Sequence, residues 1–198
     1  MKQNDLRVIK TKKNIEESFI ELLGEKDFHQ ITIQDLLDKA LINRSTFYKH
    51  YSDKYQLAQV LCDRVFMLLK SGVEERFECT NTDDIFTMLS PLYHTLSENK
   101  KMVLALFTVH TETIHLHEDM SAFLQESYYN HYIEKNNQPL YVLDYLSSLY
   151  AALVMNAIKW FLKNGRYEQL AEHSQLLLKF ASAFEYPEKK PETDQSES

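Results

Sequence analysis

Glycine occurs at three places only, and each follows an apolar pattern with helical spacing. Gly24 follows SFIELL, Gly72 follows VFMLLK and Gly165 follows KWFLKN. Helices often end with a glycine in the left-handed conformation, so we interpret these positions as helix ends. Because there are also only four prolines and 44% of the residues are hydrophobic, a turn-rich β fold is disfavoured and the sequence predicts an all-α protein.

Apolar residues recur at helical spacing in about nine segments. The first 70 residues have the pattern of a compact four-helix unit, Pro91 should kink or restart its helix, and Pro139 stands where a helix tolerates proline, at its entry. The tail over 186–198 contains no apolar residue after Tyr186 and is predicted to be disordered. The nine helices are expected at about 5–23, 33–40, 44–51, 54–70, 83–97, 100–110, 118–135, 140–164 and 167–185.

Charge is distributed unevenly along the chain. Residues 1–70 contain 12 Lys/Arg against 10 Asp/Glu, and residues 71–198 contain 10 against 19, within an overall net charge of −7. This asymmetry indicates two regions with different partners, although a small positive excess alone is weak support for nucleic-acid binding.

Neither a membrane span nor a metal or disulfide framework is expected from composition. The longest nearly uncharged apolar run, 149–158, is interrupted by Asn156 and is too short to cross a bilayer, and no signal peptide is recognisable. Cys62 and Cys79 have no ligand-like spacing, which is typical of two reduced thiols. We therefore expect a cytoplasmic protein with no membrane partner.

The segment ITIQDLLDKALINRSTFYKHYSDKYQL contains two short helical patterns around a three-residue corner. Thr32 is suited to cap the first helix, with Asp35 completing a capping-box pair. The corner is formed by 41–43, and Asn43 is a good cap for the second helix.

The second of these helices should have one packed face and one polar face. At about 100° per residue, Phe47 and Tyr51 share the inward face, whereas Ser45 and Lys49 point outward. Cations and hydroxyls suit a DNA major groove, where they contact bases or phosphates. On spacing alone, a helical hairpin with a solvated polar face fits equally well.

The same segment closely resembles the DNA-binding signature of the TetR family of transcriptional regulators, over about 14–61. The one departure is Leu41, where the family usually has glycine, and it puts the pose of the recognition helix in question because leucine is less comfortable at a positive φ. The resemblance implies phosphate contacts by Thr32, Tyr48 and Lys54. It places Arg44, Ser45, Thr46 and Lys49 at the tip and outer face of the recognition helix. His50 could join either set or pack partly inward. DNA-backbone contacts are also suggested for three residues of the first helix, Thr11, Lys12 and Lys13.

The resemblance also implies how the chain is divided into domains. A helix-turn-helix DNA-binding domain is expected over 1–52, and a helical effector-binding and dimerisation domain over 53–185. The expected function is a ligand-responsive repressor that binds a palindromic double-stranded DNA operator as a homodimer, with an unidentified small-molecule effector and no cofactor. The dimer interface would use Leu146, Tyr150, Leu153, Trp160, Leu177 and Phe180, although internal core is a less favoured alternative for these residues. The ligand pocket would use Phe86, Tyr93, Phe107, His110, Phe123 and Tyr128.

Two other functions remain open. A TetR-like co-activator could act through a protein partner, with or without tight DNA contacts of its own. The segment HTETIHLHED could serve a metal-dependent enzyme, but its histidines are not stacked at helical spacing, so no metal site is predicted. No phosphate loop, nucleophile elbow or catalytic carboxylate pair is found, which argues against an enzyme. The potential ligands in that segment are His110, Glu112, His115, His117, Glu118 and Asp119.

Overall fold

The computed structural model describes residues 3–78, 85–134 and 139–173, and all regular structure within these ranges is helical. The all-α prediction is confirmed. The predicted course of the last helix over 174–185 and the tail over 186–198 lie outside the described residues. The elements are α1 (Gln3–Glu25), a 3-10 turn (Phe28–Gln30), α2 (Ile33–Ala40), α3 (Arg44–Tyr48), α4 (Lys54–Glu78), α5 (Ile85–Glu98), α6 (Lys100–Leu106), α7 (Leu116–Tyr132), α8 (Leu140–Asn164) and α9 (Tyr167–Ala171).

The three glycines do not share one role. Gly165 ends α8 with a φ of 63° in the left-handed region, as predicted. Helix α1 ends at Glu25, one residue past Gly24, but Gly24 has no left-handed backbone. The prediction for Gly72 was wrong, because α4 continues through it to Glu78. At Gly72 a Cβ atom would overlap with Cδ2 of Leu92, so this glycine allows α5 to pack closely against α4.

Several helices begin or end at residues other than those predicted. Helix α6 ends at Leu106 instead of about residue 110, and α7 begins earlier than expected, at Leu116. Helix α5 passes through Pro91 without a break. Helix α8 spans the predicted range, because Pro139 precedes its first turn and Gly165 closes its last.

One continuous apolar core joins the first three helices to the rest of the described chain. Ile15 and Phe19 of α1 are fully buried, as are Leu61 and Val65 of α4, and Leu106 of α6 belongs to the same cluster. Helix α4 contacts both α6 and α7 and so links the two ends of this core. The domain boundary at 52/53 stays a prediction, and buried side chains are continuous across it.

Helix α8 is the one described helix long and apolar enough to cross a membrane, with a mean hydropathy of 1.3 over its most apolar window. It packs against α7 through a buried face that includes Leu143, Ser147 and Ala151. Core helices of soluble proteins meet the same criterion, so this is weak support for a membrane span.

Candidate nucleic-acid interface

Both short helices begin with the caps that the sequence predicts. The Thr32 hydroxyl accepts from the Asp35 amide at 3.1 Å, and the Thr32 amide donates to the Asp35 carboxylate at 2.7 Å. Asn43 Oδ1 accepts from the Thr46 amide at 2.8 Å. These bonds satisfy amides that have no partner inside the helix and fix where α2 and α3 start.

Leu41 carries the change of direction between α2 and α3. Its φ of 53° and ψ of 44° are left-handed, and it is the one non-glycine residue with a positive φ in the described part of the chain. Its amide and that of Ile42 both donate to the Leu37 carbonyl, as is usual at a helix end. The leucine thus adopts the conformation that glycine adopts easily. Its side chain is 91% exposed and makes no packing contribution.

Helix α3 has a buried face that anchors it and an exposed polar face. The helix is shorter than the predicted 44–51, because it ends at Tyr48. Phe47 within it and Tyr51, three residues after its end, are buried at 0% and 3% exposure, as predicted. On the other side, Tyr48 is 48% exposed, and its neighbour Lys49 and the helix tip at Arg44 are exposed as well. No large apolar side chain other than Tyr48 lies on this face.

The two hydroxyl residues of this face are held by the cap. Ser45 Oγ and Thr46 Oγ1 each donate to Asn43 Oδ1 at 2.8 Å. His50 is half-buried, with its ring 6.5 Å from that of Tyr51. The structure therefore brings the predicted contacts on α3 together on one surface, with Thr32 exposed at the start of α2.

A polar network that the sequence did not predict fastens the end of α3. The Tyr51 hydroxyl donates to Glu16 Oε1 at 2.8 Å, and both terminal nitrogens of Arg64 donate to the same carboxylate at 2.9 Å. Burial raises the pKa of Glu16, but the bonds from Arg64 and Tyr51 outweigh it and hold that pKa below its usual value. Burial and the bond to Glu16 raise the pKa of Tyr51. The network links α1, α3 and α4.

Lys54 does not extend into solvent. Its ammonium donates to the carbonyl oxygens of Phe28 at 2.8 Å, His29 at 3.2 Å and Ile31 at 2.7 Å. Burial lowers the pKa of Lys54. Since an ammonium has three hydrogens, all are engaged, and a phosphate contact would have to displace one of these carbonyls. Lys54 attaches the start of α4 to the 3-10 turn.

Four of the six residues predicted to form a ligand pocket lie in separate parts of the fold and do not surround a common cavity. Tyr93 stacks on Tyr167 with ring centroids 4.2 Å apart. Phe107 packs edge-on against His117, and the His110 side chain is exposed. Tyr128 belongs to a small second cluster with Leu143 and other aromatic side chains. The Phe86 side chain lies outside the described residues.

Phe123, the sixth predicted pocket residue, lines a small cavity. This cavity, between α4, α7 and α8, holds about 10 Å³ and has an almost wholly apolar lining. That is roughly the space for one water molecule, far below the volume of a typical ligand site. Its lining includes Phe66, Leu69, Met120, Phe123, Leu124 and Ile158.

The residues predicted for the dimer interface divide into an inner and an outer group. Tyr150 and Leu146 are partly buried against the cores. Leu153 and Trp160 are 37% and 41% exposed. Leu177 and Phe180 lie outside the described residues.

Two of the three histidines of HTETIHLHED each lie near one carboxylate. His110 Nδ1 lies 3.6 Å from a Glu118 carboxylate oxygen, and His115 Nδ1 lies 2.7 Å from Asp119. Within the described ranges, no three His, Cys, Asp or Glu side chains come close enough to hold a metal ion. The metal-dependent enzyme thus lacks a ligand set in the part of the chain that the structure describes. Cys62 is a buried free thiol, and burial raises its pKa to about 12.

Known proteins match the chain in two ways: in the sequence around α2 and α3, and in the overall fold. A sequence model of bacterial regulatory proteins, tetR family, matches residues 20–61. The HTH-type transcriptional regulator YxbF of Bacillus subtilis (strain 168), itself uncharacterized, is 27% identical over 147 residues, which cover 67% of this chain and 38% of that protein. The chain thus spans well under two thirds of the length of that relative.

Among solved structures, a TetR transcriptional regulator from Streptococcus agalactiae 2603V is 25% identical, covers 88% of this chain and 97% of its own, and has a TM-score of 0.56. The dihydroxyacetone kinase operon activator DhaS is 19% identical over 90% of this chain and 99% of its own, with a TM-score of 0.47, too low to carry an inference. The sequence match falls on the helices around the corner between α2 and α3, and the structural likeness extends over most of the chain. Residues 20–61 are therefore similar to the DNA-binding segment of the tetR family of bacterial regulatory proteins, and the fold is similar to that of a TetR transcriptional regulator.

Proposed function

We propose that the protein is a ligand-responsive repressor that acts in the cytoplasm and binds a palindromic double-stranded operator as a homodimer, without a cofactor or a membrane partner. The observation that carries this proposal is the exposed polar face of α3, held on the buried side chains of Phe47 and Tyr51. A short helix with a fixed pose and a solvent-exposed polar face is suited to enter a DNA groove, because its buried side chains hold it in place before DNA binds.

The chemistry of this face matches a major groove. Arg44 and Lys49 offer cationic donors that pair with guanine edges or phosphates, and the Tyr48 hydroxyl can reach the backbone. Ser45 and Thr46 already donate to Asn43, so their hydroxyl oxygens remain as acceptors for base amino groups. We expect phosphate contacts to make the affinity fall steeply with salt.

Specific DNA recognition needs a second copy of the chain, because one short helix contacts few base edges. Helix α8 offers an outer surface for it: Tyr141 and Tyr145 are 75% and 64% exposed, and Leu153 and Trp160 are also open to solvent. Such aromatic and apolar exposure supports a self-complementary two-fold contact. Two α3 helices would then lie about 34–36 Å apart, one DNA turn, on a palindromic site.

Effector control would act through α4, which contacts α5, α6 and α7 and carries Arg64 of the network at Tyr51. An effector releases DNA only if it binds the non-binding conformation more tightly, since equal affinity shifts nothing. The small cavity bounded by α4, α7 and α8 would have to widen around such a ligand.

The test begins with duplexes selected from a random pool by the purified protein. Fluorescence anisotropy then compares wild type with Tyr48→Ala/Lys49→Ala, and with Lys100→Ala/Lys101→Ala as a control at two exposed lysines on α6. We expect the first variant to lose specific binding and the control to keep it. Full affinity in the first variant, with its helical content unchanged, would refute recognition by α3 and would favour action through a protein partner.

A further inference from the structure

The 3-10 turn (Phe28–Gln30) is held from two sides by residues that come later in the chain. On one side, the Lys54 ammonium at the start of α4 donates to three carbonyl oxygens in and beside the turn. On the other side, His29 Nε2 lies 3.2 Å from the carbonyl oxygen of His110, 81 residues away. That carbonyl belongs to residues 107–115, which connect α6 to α7 and which we call the α6–α7 loop. The turn therefore joins this loop to the start of α4.

The hydrogen bond between His29 and His110 has a fixed direction and a firm base. A carbonyl oxygen only accepts, so Nε2 of His29 carries the hydrogen and donates it. The His29 ring lies edge-on to the ring of Phe28, with centroids 5.8 Å apart. Phe28 is buried and packs against Phe19 of α1. His29 thus reaches the loop from a backbone that is anchored in the core.

The α6–α7 loop has an ordered structure of its own. The Thr111 amide donates to the Ile114 carbonyl at 2.9 Å, and the Ile114 amide donates to Thr111 Oγ1 at 2.9 Å. The side chains of Val109 and Ile114 are buried on either side of this turn. Because both ends of the loop are fixed in this way, a displacement of one end also moves the His110 carbonyl.

The second end of the loop continues into a wall of the small cavity. Helix α7 begins at Leu116, directly after the loop, and Met120, Phe123 and Leu124 of α7 line the cavity. Leu116 and Met120 are both buried and lie four residues apart, on one face of the helix. A ligand that widens this cavity has to move α7, and the α6–α7 loop then moves with it.

Apolar packing also joins α6 to α1 and α4. Val103 and Leu106 of α6 are fully buried in the same core cluster as Phe19 of α1. Such packing is non-directional, whereas a hydrogen bond weakens steeply as its angle and length change. The bond between His29 and His110 is therefore the contact that is most sensitive to a small shift of the loop.

The contacts of Lys54 favour a role in the turn over a phosphate contact. Three carbonyl oxygens surround its ammonium at 2.7 to 3.2 Å, and one of them belongs to His29. The ammonium also lies 4.7 Å from the centre of the Phe28 ring and 5.4 Å from that of Tyr55. Moving to a phosphate would give up these contacts and leave carbonyl oxygens without their donor.

We propose that His29 and Lys54 are positioning residues for operator binding, and that the 3-10 turn is the junction through which a shift of the α6–α7 loop reaches α2 and α3. Lys54 holds the turn on α4, and His29 holds the loop on the turn. Because α2 begins at Ile33, three residues after the turn ends, a displaced turn displaces α2. This inference rests on the proposed operator binding, and it adds a second route to the one through the middle of α4.

The coupling can be measured without the effector, because coupling between two sites is reciprocal. If the junction joins the loop to α2 and α3, operator DNA must change the opening of the loop. Hydrogen exchange followed by mass spectrometry is measured on the peptide 107–116, without DNA and with a saturating duplex selected by the wild-type protein. His29→Ala removes the donor and His29→Gln keeps an N–H donor. The control His94→Ala removes an exposed imidazole from α5, where its described contact is the ring of Tyr93.

We expect the duplex to slow exchange of this peptide by roughly fivefold in wild type, and similarly in His29→Gln and His94→Ala. In His29→Ala the duplex should leave the exchange unchanged. If the response persists in His29→Ala, or is missing in wild type that binds the duplex, the junction is overturned while recognition by α3 stands. If the wild-type protein selects no duplex, operator binding itself fails, and this inference fails with it.

Lys54→Met tests the second residue, since methionine keeps an apolar stem and removes the ammonium. We expect the response of the loop peptide to be lost, and the slope of log affinity against log salt to equal that of wild type, because no phosphate contact is removed. A slope that is shallower by roughly 2, about 0.9 for each protomer, would place Lys54 on a phosphate and overturn its role in the junction. If circular dichroism shows that Lys54→Met does not fold, the variants of the exposed His29 decide the proposal by themselves.

Discussion

Replacing Leu41 with glycine tests whether the corner between α2 and α3 stores strain. An L-residue in the left-handed region is disfavoured by about 1–2 kcal/mol, and Leu41 lies there with a φ of 53°. Glycine removes that cost but loses more backbone entropy on folding, worth about 0.5–1 kcal/mol. Because the leucine side chain is 91% exposed, almost no packing is lost.

The net effect of Leu41→Gly should therefore be stabilisation by between nearly zero and about 1.5 kcal/mol. The free energy of unfolding is measured by urea titration followed by circular dichroism, and the melting temperature should rise by about 2–4 °C per kcal/mol. Leu41→Asn should stabilise similarly, since asparagine tolerates this region, and β-branched Leu41→Val should destabilise. DNA affinity should not change, because the backbone path stays the same.

The matched control is Glu126→Gly, an exposed position inside α7, where glycine should cost about 1 kcal/mol. If Leu41→Gly destabilises the protein as much as this control does, the left-handed leucine is not strained and the reasoning is refuted. A stabilised Leu41→Val variant would contradict it as well.

Three further predictions concern other contacts. A double-mutant cycle of Glu16→Ala and Arg64→Ala in urea unfolding should give a coupling of about 0.5–2 kcal/mol, because the two side chains are bidentate partners; additive effects would contradict the network. Lys26 and Thr32 lower the pKa of Asp35 to about 2, from 3.8, so its stabilising contribution is present above pH 4 and is lost as the pH falls towards 2. Acid titration of stability should therefore lose part of its slope in Asp35→Asn, and an unchanged slope would refute that assignment. Trp160→Glu should give monomers by analytical ultracentrifugation, since it places a charge on the outer surface of α8; a dimer of unchanged affinity would exclude this surface.

The features that sequence reasoning predicted correctly are those set within one or two helical turns. Thr32 and Asn43 cap their helices because a cap depends on a hydroxyl or amide and an amide three residues away. Phe47 and Tyr51 are buried because four-residue spacing places them on one face. Pro139 and Gly165 bound α8 for equally local reasons.

The features that sequence reasoning missed depend on contacts between residues that are far apart in the sequence. Gly72 lies inside α4 because Leu92, twenty residues later, packs where a side chain would be. The bonds of Glu16 reach 35 residues to Tyr51 and 48 residues to Arg64, and no periodicity specifies them. Lys54 matches a DNA-binding position of the family, but the carbonyls around its ammonium become visible only once the 3-10 turn is placed.

Mapping the contacted DNA bases tests the central claim most directly. Chemical interference footprinting on a selected duplex should reveal two patches of essential guanines and phosphates in the major groove, about one helical turn or 34–36 Å apart, and both should vanish with Tyr48→Ala/Lys49→Ala. A footprint that persists in that variant, or that lies in the minor groove alone, would contradict recognition by α3.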